Sequence, residues 1–196
     1  MKNKVILTDC DGVLLDWIHS FTEWMLKRGY KVRDGGSGDY QIHKRFGLED
    51  KKIGRQLVRE FNESASIAFL TPHLDAIKYV KKLHEEHGYV FHVITSQSKN
   101  PHAQELRKQN LKRVFGETVF EDFIILDTGW DKDHALKRYK DSECYWIEDK
   151  PENVEVGQAM GLTSVLMEHD HNLDYVNGDI SVCKNWKEVY NLVTGE

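Results

Sequence analysis

The sequence predicts an α/β protein: a doubly wound, mainly parallel Rossmann-like sheet with a small helical cap inserted after the first strand. Three observations carry this reading. Short apolar runs recur along the chain with helix-period stretches between them. Each of the runs that matter ends in polar or acidic residues, as strands do where they leave a buried sheet. One long stretch, 17–71, breaks the alternation with helical patterns and no strand.

The first run, Val5-Ile6-Leu7, leads into Thr8-Asp9-Cys10-Asp11-Gly12 and reads as a buried strand closed by a polar turn. The stretch from Trp17 to Thr71 carries Ile53, Leu57, Val58 and Phe61 at helical spacing, so the core takes 1–16 and 72–196 and the cap takes 17–71. Phe21, Trp24 and Phe46 read as cap core. Asp34-Gly35-Gly36-Ser37-Gly38-Asp39 lacks the Gly-Lys-Ser/Thr of a phosphate loop and reads as a flexible turn. Leu74, Ile77 and Val80 mark the helix that returns to the sheet, its charges from Lys78 to Glu86 forming a wet face. Strands follow at Tyr89 to Thr95, Phe123 to Leu126, Tyr145 to Ile147 and Ser164 to Met167. Between them lie helical stretches marked by Leu106, Val114 and Phe115, and by the segment Asp131 to Tyr139. Asn185 to Tyr190 closes the core as a final helix.

Composition limits the functions open to this chain. At 196 residues, 40% hydrophobic and 30% charged, it suits one compact domain with a modest insertion. A net charge of -5 gives no basic footprint for duplex nucleic acid or an anionic membrane. Cys10, Cys144 and Cys183 are odd in number and lack metal-type spacing, which points to a reducing compartment. The opening stretch 1–11 already carries acids and resembles neither a signal peptide nor a spanning helix, so a cytoplasmic protein is expected.

Four features carry chemistry. Asp9 and Asp11, two positions apart on extended backbone, project to one side while Cys10 projects to the other. One carboxylate could attack phosphorus while the second exchanges protons with the leaving and entering oxygens, and Gly12 permits the tight turn that follows. Thr95-Ser96, after Phe91-His92-Val93-Ile94, offers a hydroxyl and free amides to a phosphate oxygen. Lys132 supplies a cation after Ile124-Ile125-Leu126. Glu148-Asp149, after Tyr145-Trp146-Ile147, offers oxygen ligands to a hard cation such as magnesium. Alone, each has a plain structural explanation: a turn, a helix cap, a surface lysine, a capping acid. Together, in one order and each at its own strand end, they are specific. Glu168-His169-Asp170-His171 reads instead as a solvated loop, and no zinc site is expected there.

On these residues the chain resembles the haloacid dehalogenase-like phosphatase superfamily, with Thr8-Asp9-Cys10-Asp11-Gly12-Val13 matching its first motif and the likeness running from Val5 to Met167. The resemblance implies Asp9 as nucleophile, Asp11 as general acid and base, and Thr95, with Ser96 beside it, as phosphate ligand. It implies Lys132 as the lysine that stabilises the phosphorylated intermediate, with Lys137 and Lys150 as alternatives. Mg2+ would be held by Asp9, the Asp11 main-chain carbonyl and either Glu148 or Asp149. Asp11 itself implies a phosphatase, because the superfamily's dehalogenases lack an acid there. The stretch Asp9 to Trp17 is similar to the opening of the 5'(3')-deoxyribonucleotidases, whose aromatic at the last position faces a nucleobase; Phe120 to Leu126 and Ile147 to Pro151 are similar as well. The implied function is magnesium-dependent hydrolysis of a small phosphomonoester, a nucleoside monophosphate above all, through an aspartyl phosphate. Trp17 would form one wall of the substrate pocket. Sugar-phosphate phosphatase or phosphomutase, metal-dependent nuclease and non-catalytic binding protein are the alternatives.

Overall fold

A computed structural model describes residues 4–73 and 75–196; the first three residues of the opening stretch, and Leu74 of the expected helix stripe, lie outside the described residues. Six strands form one parallel sheet: β1 (Val5–Thr8), β2 (Val90–Ser96), β3 (Phe120–Leu126), β4 (Tyr145–Glu148), β5 (Thr163–Met167) and β6 (Ser181–Cys183). Their order is β3-β2-β1-β4-β5-β6, which is the doubly wound sheet the sequence predicts. Thr8 of β1 stands opposite Val93 of β2 and Ile147 of β4.

The central position of β1 follows from its composition. A parallel strand covered on both faces needs apolar side chains on both, and alternation sends them to two cores. Ile6, Val93, Ile147 and Val165 enter one core, while Leu7, Ile94 and Trp146 enter the other. Helices α4 (Ala76–Glu85), α5 (Pro101–Phe115) and α8 (Trp186–Thr194) cover the first core with Val80, Leu83, Leu111, Phe115, Trp186 and Val189. The short α6 (Asp133–Leu136), the 3-10 turn Lys137–Tyr139 and α7 (Pro151–Ala159) cover the second. Helix α7 approaches closely because residue 157 is glycine: a Cβ there would lie 2.4 Å from Cδ1 of Trp146.

The stretch between β1 and α4 holds α1 (Trp17–Leu26), α2 (Ile42–Arg45), α3 (Lys51–Asn62) and a 3-10 helix, Ala65–Phe69. Phe21, Trp24, Phe46 and Phe61 are buried there against one another. This cluster is continuous with the core beneath the sheet. Polar ties fix the insert to the sheet's rim: Asn62 donates to the Gln97 carbonyl at 3.2 Å, and Gln97 returns a bond to the Asn62 carbonyl at 3.0 Å. Asn110 of α5 donates to the Leu70 carbonyl at 3.2 Å.

Three local readings change. Strand β3 begins at Phe120 rather than Phe123, because exposed Glu121 and half-buried Asp122 occupy polar strand positions that periodicity alone leaves out. The segment Asp131 to Tyr139 forms one short α-helical turn and one 3-10 turn. β6 is an additional edge strand; it has only three residues and exposes Val182, so it leaves little apolar signal. Among the described residues all three cysteines are buried, and no helix is long and apolar enough to cross a membrane.

Candidate active site

In open α/β sheets ligands bind beyond the carboxyl ends of the strands where the winding reverses, here between β1 and β4. Asp9 follows β1 at that point, and its amide donates to the Ile147 carbonyl at 2.9 Å. Glu148 ends β4 and Asp149 follows it, so the register sets all three acids side by side. The Asp9 carboxylate is buried and accepts the Cys10 amide at 2.6 Å.

Lys132 is also buried, with Nζ 2.8 Å from Oδ2 of Asp9 and 2.7 Å from Oε2 of Glu148. Burial alone would lower its pKa, but the two carboxylates outweigh that and raise it, so the side chain stays an ammonium. Lys137 is exposed on the 3-10 turn, and Lys150 is half-buried beside the Tyr40 ring at 5.3 Å. Of the three candidate lysines, Lys132 is therefore the one that pairs with Asp9. The loop that delivers it is anchored by Ser96, whose hydroxyl donates to the Trp130 carbonyl at 2.8 Å, and by Thr128, whose hydroxyl donates to the Gln97 carbonyl.

Glu148 is fully committed. Oε1 accepts the amides of Asp149 and Lys150 at 3.0 and 3.1 Å, and Oε2 accepts Lys132 and the Asn153 amide at 2.7 and 3.1 Å. Four donors on two oxygens leave it as an anchor for Lys132. Asp149 instead faces the turn at Gly12, where φ is +79° and a Cβ would lie 2.5 Å from its Oδ2. Glycine is thus needed twice, for the backbone angle and for the carboxylate's room.

Oxygens of Asp9, Glu148 and Asp149 come within 4.8 Å of one another. Burial, above all, pushes Asp9 and Asp149 up to about 6 each, with Glu148 adding to the rise at Asp9 and Asp9 adding to that at Asp149. Three buried carboxylates thus lie together with one buried ammonium that pairs with two of them, Asp9 and Glu148, and an all-oxygen donor set of that charge fits a magnesium ion. With Glu148 occupied, Asp9 and Asp149 are the side chains that would hold it.

The 168–171 loop corrects the sequence reading. Its histidines are half-buried against the site: Nε2 of His169 lies 2.5 Å from the Gly12 carbonyl, and Nε2 of His171 lies 3.1 Å from the Asp149 carbonyl. They support the two turns that carry the acids, and the rings stack on each other at 5.7 Å.

Of the remaining candidates, Thr95 is buried at the end of β2, while the Ser96 hydroxyl is directed to the lysine loop as described. Asp11 pairs with Arg107 of α5. Trp17 is half-buried: Phe21 stacks on its ring at 4.7 Å, Phe61 meets it edge to face at 5.5 Å, and its indole N–H donates to Asn62 at 2.9 Å.

Comparison with solved structures decides what kind of scaffold this is. A predicted phosphoglycolate phosphatase from Haemophilus somnus 129pt superposes with a TM-score of 0.65 at 10% identity, covering 98% of this chain and 99% of that one. The L-2-haloacid dehalogenase from Xanthobacter autotrophicus, with chloropropionic acid covalently bound, superposes with a TM-score of 0.64 at 13% identity over 98% of each chain. The fold is that of the haloacid dehalogenase-like hydrolases. No family model matches the chain. In sequence it is similar to an uncharacterized 32.4 kDa protein of the Gp30-rIII intergenic region of Enterobacteria phage T4, at 27% identity over 148 residues, 71% of this chain. The chain spans about half the length of that relative, 52%.

Within this haloacid dehalogenase-like fold, one charged residue at the site escapes sequence reasoning. Arg107 sits in Glu105-Leu106-Arg107-Lys108, which looks like a solvated face. The signal was there in the spacing: Ala103, Arg107, Asn110 and Leu111 are all buried and share one helical stripe.

Proposed function

We propose that the protein is a magnesium-dependent phosphatase acting on a small phosphomonoester, with a nucleoside monophosphate as its substrate class. The observation that carries the reading is the contact of buried Lys132 with Asp9, beside Asp149 and at the sheet's switch point. A carboxylate held this way is a nucleophile whose surroundings neutralise an incoming phosphoryl group. An oxygen of Asp9 attacks phosphorus, the ester oxygen departs with a proton from Asp11, and an aspartyl phosphate forms. Water, giving its proton to Asp11, then attacks that phosphorus, releasing inorganic phosphate and restoring Asp9. When bound, magnesium would offset the charge on the phosphoryl oxygens. Lys132 would neutralise the same group from the other side, and the Thr95 hydroxyl would hold a phosphoryl oxygen.

Phosphatases and dehalogenases share this scaffold, so the fold leaves the chemistry open. Asp11 favours the phosphatase. A halide departs without a proton, whereas an alkoxide needs one, and an acid two positions after the nucleophile is placed to give it. The nucleotide assignment rests on the likeness from Asp9 to Trp17 and on the aromatic insert at 17–71, read as a cap over the site. Phosphate release from purified protein, measured across nucleoside monophosphates, sugar phosphates and single-stranded DNA with and without chelator, tests all of this. Release from nucleoside monophosphates that chelator abolishes is expected. Full activity in chelator, or cleavage of DNA alone, would contradict it.

A further inference from the structure

Arg107 is fully buried, and its guanidinium pairs with Asp11 through both terminal nitrogens, Nη1 on Oδ1 and Nη2 on Oδ2 at 3.3 Å. Nη1 also donates to the Cys10 sulfur at 3.0 Å, and Nε is buried without a hydrogen-bond partner. Among the described residues Asp11 is the only carboxylate paired with Arg107. A buried guanidinium is costly, and an apolar side chain of similar volume would serve packing at least as well. Leaving Nε unsatisfied adds to that cost. What the arrangement achieves is geometric: two parallel N–H···O bonds fix the plane of a carboxylate as well as its position, which a point charge does not.

We propose that Arg107 is a positioning residue that holds the Asp11 carboxylate in the orientation from which it exchanges protons with the leaving group and the entering water. The proposal rests on the phosphatase reading. The Asp11 side chain is 22% exposed, so part of it stays open to solvent while Arg107 grips it from the core. Arg107 is completely shielded, and Asp11 is the one proton-exchanging group it touches, its other contact being the Cys10 sulfur. Its loss should therefore harm the phosphorylation step only where that step needs a proton. An alkyl monophosphate needs one, and an activated aryl phosphate, whose phenolate leaves as a stable anion, does not.

The test compares wild type, Asp11→Asn, Arg107→Gln and the double variant by kcat/KM on an alkyl monophosphate and on p-nitrophenyl phosphate, below the lowest melting temperature of the four. Arg107→Gln is expected to lower kcat/KM on the alkyl ester by about tenfold or more and on the aryl ester by less than about threefold. It is expected to add no further loss once Asp11 is Asn. Equal losses on both esters, or losses that multiply in the double variant, would overturn the assignment. If Arg107→Gln does not fold, Arg107→Lys carries the same comparison, since it keeps the charge and loses the fork. A wild type that releases phosphate from neither ester would sink the phosphatase reading and this proposal together; an active wild type with multiplying losses overturns the Arg107 role alone.

Discussion

Glu148 and Asp149 are adjacent in the chain and offer the same functional group, yet their surroundings separate them. Glu148 accepts four hydrogen bonds and grips Lys132, while Asp149 faces the Gly12 turn. Asp149→Asn should therefore weaken magnesium binding by more than about tenfold, whereas Glu148→Gln should leave it within about threefold and lower stability by roughly 1–3 kcal/mol as a buried network loses its charge. Titration calorimetry and thermal melts on both variants check this; the reverse ranking would remove Asp149 as the ligand. Gly12→Ala should also abolish magnesium binding, because its Cβ would displace Asp149; retained affinity in the same calorimeter would refute that. At this scale the acids and Lys132 are legible in the sequence because each ends or follows a strand. Arg107 is legible only as a position on the stripe of Ala103 and Leu111; that its charge is buried and paired does not show until its partner, 96 positions away, is known.

Elements show a similar divide. Short apolar runs and amphipathic helices declare β1 to β5 and α3, α4, α5 and α8, since burial of a face imposes the period. The three-residue β6 and the short α6 owe their form to what they pack against, so periodicity cannot reveal them. Helix α1 carries the residue on which the nucleotide reading leans. With Phe21 covering one face of Trp17 and Asn62 holding its N–H, the ring is part of the insert's packing. Trp17→Ala should cost up to about 3 kcal/mol, a fall of up to roughly 6–12 °C in melting temperature for a chain of this size. Kinetics on the same preparation separate the roles: selective loss on a nucleoside monophosphate would place the ring against the base, and a uniform loss on every substrate would confine it to packing.

Across the whole molecule, the site sets a pH dependence whose sign can be worked out. In the ion-free protein Asp9 and Asp149 titrate near 6 instead of their ordinary 3.8, so between those values the folded state holds more protons than the unfolded one. Stability from these groups is therefore greatest below 3.8 and falls as pH rises to about 6, by about 3 kcal/mol at most for either taken singly. Magnesium needs both ionised, so its stabilising effect should grow across the same window. Melting curves at pH 5 and pH 7, with and without magnesium, should show the larger upward shift at pH 7; equal shifts would contradict the carboxylate site.

The central claim, that Asp9 carries the phosphoryl group, is tested most directly by trapping it. Borohydride added during turnover of p-nitrophenyl phosphate with magnesium reduces an aspartyl phosphate to homoserine, which mass spectrometry locates within the peptide that contains residue 9. Homoserine is expected at position 9, dependent on substrate and magnesium. Sustained phosphate release with Asp9 unmodified, or homoserine at Asp11 or Asp149 instead, would contradict it.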